Sequence, residues 1–139
     1  MKIYFSAPIR GVKGEKDQYP KMIEHMRSFG EVLTEHIGDK SRIPKKDVGL
    51  SAERIYNRDM GMLRKADLFI AEVSSPSIGV GYEIAWAEAN GKKVLCLYRP
   101  QKGKRLSAMV KGNKNLILKE YRTIEKAFAH IDRFVSSQM

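Results

Sequence analysis

Apolar residues recur along this chain with two different rhythms. Short runs are apolar almost throughout, at residues 3–6, 67–73 and 93–98. The last is continuous enough to predict a strand covered on both faces. Longer stretches repeat apolar positions at helical spacing. Met22, Ile23, Met26 and Phe29 do so ahead of Gly30, which is expected to end that helix. Ile55, Met62, Leu63 and Ala66 follow Ser51, a candidate N-cap. Ile124, Ala127, Phe128, Ile131 and Val135 mark a last helix over 123–135. Residues 31–34 and 116–118 complete the strand set, and two shorter helices are predicted over 81–90, closed by Gly91, and 106–110. Strand and helix therefore alternate. That predicts an α/β fold in one domain, 1–139: a doubly wound, flavodoxin-like or Rossmann-like sheet of five parallel strands in the order 2-1-3-4-5.

This order has a chemical consequence. Its switch point lies between strands 1 and 3, where ligands of such sheets bind. Two loops leave the sheet there. The first holds Pro8, Arg10 and Gly11; the second is Ser74-Ser75-Pro76-Ser77-Ile78-Gly79-Val80-Gly81-Tyr82-Glu83. Glycines let a backbone approach a ligand closely. A helix N-terminus presents free N–H groups to an anion. A carboxylate one turn into the helix lies about 5 Å from an anion held at its start. A small phosphorylated substrate suits this layout; a tight turn followed by a solvated Glu83 is the plainer alternative. Asp59 is a second acid of interest. It falls four residues after Ile55, on or beside the inward stripe, where an unpaired carboxylate is costly. It is either paired with Arg58, solvated at a rim, or kept for chemistry. The charged stretch 40–49 reads as a lid or an ordinary surface loop.

Charge narrows the partners. The 139 residues carry a net charge of +10, spread from Lys2 to Arg133. Anionic ligands are favoured. No basic block, helix-turn-helix or zinc-finger spacing appears, so small phosphate esters fit better than stable nucleic-acid binding. Cys96 lies alone inside an apolar run and reads as core filler in a reducing compartment. His25, His36, His130 and Cys96 show no metal-ligand spacing, and neither a metal nor another cofactor is expected. No apolar run nears 18 residues, and the first residues are too short an apolar run for a signal peptide. The expectation is a protein without a membrane partner, cytoplasmic, or nuclear in a eukaryote.

The assembled motifs resemble one family. Ile3-Tyr4-Phe5 with Ile9-Arg10-Gly11, Val32-Leu33-Thr34-Glu35-His36, Arg58-Asp59, Ala66-Asp67, Ala71-Glu72-Val73, the stretch from Pro76 to Glu83, Leu95 to Pro100, and Leu106-Ser107-Ala108-Met109 run in its order over residues 3 to about 112. The chain is similar to the 2′-deoxynucleoside 5′-monophosphate N-hydrolases, relatives of the nucleoside 2-deoxyribosyltransferases. The resemblance implies Glu83 as nucleophile on the sugar C1′, Asp59 protonating or holding the leaving base, and Tyr4 hydrogen-bonding near the nucleophile. It implies Arg10, Gly11, Ser77 and Gly79 at the 5′-phosphate, and His36 at the pocket edge. It also implies a homodimer in which Ser107 reaches the phosphate of the neighbouring subunit. Pro8 departs from the family, whose members carry a small polar residue there.

Breaking an N-glycosidic bond puts positive charge on the sugar and negative charge on the base. One carboxyl must be ionised to attack, and another is useful if it carries a proton. The helix N-terminus is expected to favour ionised Glu83, and desolvation to raise the proton affinity of Asp59. A covalent sugar–Glu83 ester would form and then be hydrolysed, as in retaining glycosidases. The competing readings are a deoxyribosyltransferase, a ribonucleotide hydrolase, a nucleotide sensor without turnover, and a nucleic-acid binder.

Overall fold

A computed structural model describes residues 1–9, 17–39 and 45–139. Its strands are β1 (Lys2–Ser6), β2 (Glu31–Val32), β3 (Leu68–Glu72), β4 (Val94–Tyr98) and β5 (Ile117–Glu120). Its helices are α1 (Gln18–Arg27), α2 (Ala52–Lys65), α3 (Ile78–Ala89), α4 (Ala108–Lys111) and α5 (Ile124–Gln138). Two 3₁₀ turns, Glu35–Gly38 and Lys45–Asp47, lie between β2 and α2. The strands form one sheet in the order β2-β1-β3-β4-β5, with every pairing parallel. This is the expected doubly wound topology.

Alternation along the strands splits the core into two layers. Ile3, Phe5, Ile70, Leu95 and Leu97 face one side, against Met22 and Met26 of α1 and Ile131 and Phe134 of α5. Tyr4, Phe69, Ala71 and Cys96 face the other, against Leu63 of α2 and Ile84 and Ala87 of α3. Burial pushes the Cys96 thiol up to about 12, in keeping with an apolar role.

Several boundaries differ from expectation for definable reasons. β2 stops after two residues, because Thr34 turns its side chain onto β1. Its hydroxyl accepts from the Phe5 amide at 2.8 Å and donates to the Phe5 carbonyl at 2.6 Å, replacing ladder bonds. Gly30 does not cap α1, whose C-cap is Ser28. A Cβ at Gly30 would lie 2.2 Å from the Met1 carbonyl oxygen, so close chain approach is what excludes a side chain there. In α2 the buried residues are Met60 and Leu63, while Met62 is half-buried. In α5 Phe134 takes the buried place expected of Phe128, which instead stacks on His25 with ring centroids 4.1 Å apart. β5 starts one residue later than expected and runs two residues further. The change that bears on function is in α3. It begins at Ile78, three residues before the expected start, because Ser77 supplies the cap: its Oγ accepts from the Val80 amide at 3.3 Å. Glu83 therefore stands in the second turn. Gly91, at φ 74°, closes the helix as predicted.

Candidate active site

The end of β1, the loop from Pro76 into α3, the two 3₁₀ turns and the first half of α2 enclose a cavity of about 910 Å³. Tyr4, His36, Asp59, Ser77, Gly79 and Glu83 all line it, so the topology unites six of the nine expected site residues. Arg10 and Gly11 lie outside the described residues. Ser107 does not line this cavity but lines an adjoining one of about 500 Å³, which shares Pro76, Ser77, Ile78 and Val80 with the first.

Tyr4 and Ser6 are two residues apart on β1 and so point to the same face. Tyr4 is fixed by stacking on Phe69, with centroids 5.4 Å apart and planes 12° apart. Its hydroxyl donates to Glu83 Oε2, and the Ser6 hydroxyl donates to Oε1 at 3.2 Å. Both oxygens of one carboxyl are thus gripped by neutral donors from a strand. Burial pushes the Tyr4 phenol well above its ordinary range, with the nearby Glu83 adding to it, so the hydroxyl stays a donor.

The electrostatics of Glu83 differ from expectation. Its pKa is raised to about 7, chiefly by burial, with the charge of Asp59 in the same direction; the bonds from Tyr4 and Ser6 pull the other way without cancelling it. The helix N-terminus does not dominate, because its influence fades beyond the first turn and Glu83 sits in the second.

Asp59 is also not the lone acid beside an apolar stripe. Arg58 donates to Asp59 Oδ1 from Nε at 2.9 Å, and its Nη1 lies 2.7 Å from Asp47 Oδ1. Its Nη2 is 3.3 Å from His36 Nε2. An arginine only donates, so Nε2 accepts and the proton of the neutral ring sits on Nδ1. Burial holds the His36 imidazole below its ordinary pKa, helped by the Arg58 charge. Burial alone would lower the Arg58 pKa, but its bonds to Asp59 and Asp47 outweigh that and raise it.

The loop after β3 is braced from below. Glu72 Oε1 accepts from the Ser74 amide at 2.6 Å and Oε2 from the Ser74 hydroxyl at 2.8 Å, and the Tyr121 hydroxyl also donates to Oε2. The Arg99 amide donates to Ser74 Oγ at 2.8 Å, and Lys104 Nζ donates to Ser75 Oγ at 3.3 Å. Beyond this brace, Ile78 and Gly79 in the first turn of α3 line the cavity, while the Val80 and Gly81 amides are taken by Ser77.

Ser6, Asp47 and Arg58 complete the site beyond the nine expected residues. The period-2 rule applied from Tyr4 points to Ser6. Arg58 appears in the sequence only as a possible partner of Asp59. Nothing in the sequence singles out Asp47, which arrives on a 3₁₀ turn from a charged stretch. Among the described residues, no group of three or more His, Cys, Asp or Glu could hold a metal ion. No helix among them is long and apolar enough to cross a membrane.

A protein from Nematostella vectensis named "Putative 2′-deoxynucleoside 5′-phosphate N-hydrolase 1" is 47% identical over 126 residues, 87% of this chain and 85% of the relative. The 5-hydroxymethyl-dUMP N-hydrolase of Tetraodon nigroviridis is 44% identical over 116 residues, 83% of this chain and 82% of its own. The fold is shared with the Clostridium botulinum CMP N-glycosidase BcmB, with a TM-score of 0.70 at 20% identity, over 96% of this chain and 99% of that one. Residues 3–117 match the model of one family, described as nucleoside 2-deoxyribosyltransferase. The chain belongs to the nucleoside 2-deoxyribosyltransferase family.

Proposed function

We propose that this protein hydrolyses the N-glycosidic bond of 2′-deoxynucleoside 5′-monophosphates, giving free base and deoxyribose 5-phosphate. The observation that carries the reading is the grip on Glu83: two neutral hydroxyls aim both carboxyl oxygens beside a helix start and a second acid, in one cavity. The names of the relatives support the substrate class. In the first half, ionised Glu83 attacks C1′, and the electrons of the C1′–N bond leave with the base, which takes up a proton carried by Asp59. In the second half, water attacks C1′, returns a proton to Asp59 and frees Glu83. Tyr4 and Ser6 hold the carboxylate in line, and Ser77 and Gly79, with Arg10 and Gly11, take the 5′-phosphate. Phosphate binding remote from C1′ supplies orientation. His36 stands at the wall of the base pocket.

The site would be completed by a second copy of the chain. The outer face of α3 is apolar, with Ile78 93% and Tyr82 54% exposed, and Met109 is 83% exposed nearby. A helix apolar all round is normally covered all round. Ser107, at this surface, would then reach the partner's phosphate site.

The test is chromatography of free base after incubation with a panel of deoxynucleoside monophosphates and the matching nucleosides, for wild type and Glu83→Gln. Release from the phosphorylated forms only, absent in the variant, is expected. An adduct of deoxyribose 5-phosphate on Glu83 should be trapped by rapid quench and mass spectrometry. A second free base should not be glycosylated; efficient transfer would sink the hydrolase reading. Met109→Glu should yield monomers with a raised KM for the nucleotide.

A further inference from the structure

Arg58 is committed on three sides. Its Nε meets Asp59 at 2.9 Å, its Nη1 meets Asp47 at 2.7 Å, and its Nη2 meets His36 at 3.3 Å. These partners come from three separate elements: α2 itself, the 3₁₀ turn Lys45–Asp47 and the 3₁₀ turn Glu35–Gly38. The Asp47 side chain is only 7% exposed, that of Arg58 25% and that of Asp59 27%. Asp47, Asp59 and His36 all line the cavity. A rigid planar fork points its donors in fixed directions, which an ammonium on a flexible stem does not; here it donates to Asp59 and His36 and is ion-paired with Asp47.

We propose that Arg58 is the positioning residue for departure of the base. It holds the Asp59 carboxyl towards the cavity, stabilises it as a carboxylate once its proton has gone to the base, and through Asp47 and His36 fixes the wall against which the base lies. The inference rests on the N-glycosidase reading. It also explains why a buried aspartate should sit on a short turn: removing Asp47 would leave the guanidinium fork tethered on one side fewer.

The test is dependence on the leaving group, which a purely structural staple would not show. The nucleotide turned over best is compared with 4-nitrophenyl 2-deoxyribose 5-phosphate, whose nitrophenolate departs without taking up a proton. Arg58→Met is expected to lower kcat on the nucleotide about 10- to 100-fold with KM within about threefold, and to change the nitrophenyl reaction less than about threefold. Asp59→Asn should follow the same pattern, and the double variant should be little worse than either single. Arg58→Lys should recover only a minor part of the loss. Where Arg58→Met fails to fold, Asp47→Asn carries the same comparison, with a smaller loss confined to the nucleotide. Equal losses on both substrates, a loss in KM alone, or additive Arg58 and Asp59 effects would overturn the inference while leaving the hydrolase intact. A wild-type protein that cleaves neither substrate would instead overturn the hydrolase reading, and this inference with it.

Discussion

Two glutamates stand near the same end of the sheet, and each is held by a tyrosine and a serine. Glu72, at the end of β3, accepts from Tyr121 and Ser74 on the α1/α5 side and is 1% exposed. Glu83, on α3, accepts from Tyr4 and Ser6 on the α2/α3 side and opens into the cavity. The donor types are the same; the difference is what else reaches the carboxyl. Glu72 also takes the Ser74 amide at 2.6 Å, which commits it to the shape of the loop. Among the described residues Glu83 takes no backbone donor, and it keeps a face towards the cavity. A carboxyl tied to backbone builds a site, and one held only by side-chain hydroxyls at a cavity wall is free to react in it.

The sharpest way to break this comparison is to neutralise each acid in turn. Glu83→Gln should lower kcat by at least about 10³-fold, since the amide cannot form the ester. Glu72→Gln should leave kcat within about tenfold and act through KM, because it loosens the loop that carries Ser77. Steady-state kinetics on a deoxynucleotide checks both. Equal losses in kcat would erase the distinction.

Stability should part the two acids in opposite directions. Glu72→Gln exchanges one acceptor for a donor facing three donors, and should cost about 1–3 kcal/mol in urea unfolding. Glu83 behaves differently because its folded pKa, about 7, lies above the unfolded value of 4.5. The folded state therefore binds more protons between those values, and stability falls as pH rises through that window. Glu83→Gln mimics the protonated acid and escapes the loss. It should be more stable than wild type at pH 8, by on the order of 3 kcal/mol, with the gain gone below about pH 4.5. A gain over wild type no larger at pH 8 than at pH 4 would contradict the burial of Glu83.

The same raised pKa predicts the acid limb of activity. Protonated Glu83 is no nucleophile, so kcat/KM should fall about tenfold per pH unit below about 7. Tyr4→Phe removes a bond that holds this pKa down, and the limb should move to higher pH. A limb that stays in place in Tyr4→Phe would show that Glu83 is not the group titrating.

Much of this was legible in the sequence. The alternation of strands and helices predicts the sheet, whose switch point brings the loops after β1 and β3 to one crevice; the family resemblance named Tyr4 and Asp59 there. The state of the acids was not legible. Helix start and turn number decide the pull on Glu83, and a cap at Ser77 moved that start by three residues. Arg58 and Asp47 are 11 positions apart and meet only because a 3₁₀ turn folds back over α2. Such a contact has no periodicity to betray it. The role given to Gly30 failed for a similar reason: its neighbour, Met1, is close in space, just ahead of β1, and remote in sequence.

The smallest effect tests the finest point, that two donors share the work on Glu83 unequally. Ser6 donates at 3.2 Å, near the long end for a hydroxyl, and lowers the Glu83 pKa less than Tyr4 does. Its removal frees Oε1 while Tyr4 still fixes Oε2. Ser6→Ala should therefore lower kcat only about two- to fivefold, and move the acid limb upward by less than Tyr4→Phe does. The ordering follows from burial as well as distance, since the Tyr4 ring is stacked on Phe69 and cannot swing away, whereas a serine hydroxyl rotates freely. If Ser6→Ala instead proves the more damaging of the two, then Oε1 is the oxygen that must be presented to C1′, and the tyrosine serves chiefly to anchor the carboxyl's far side.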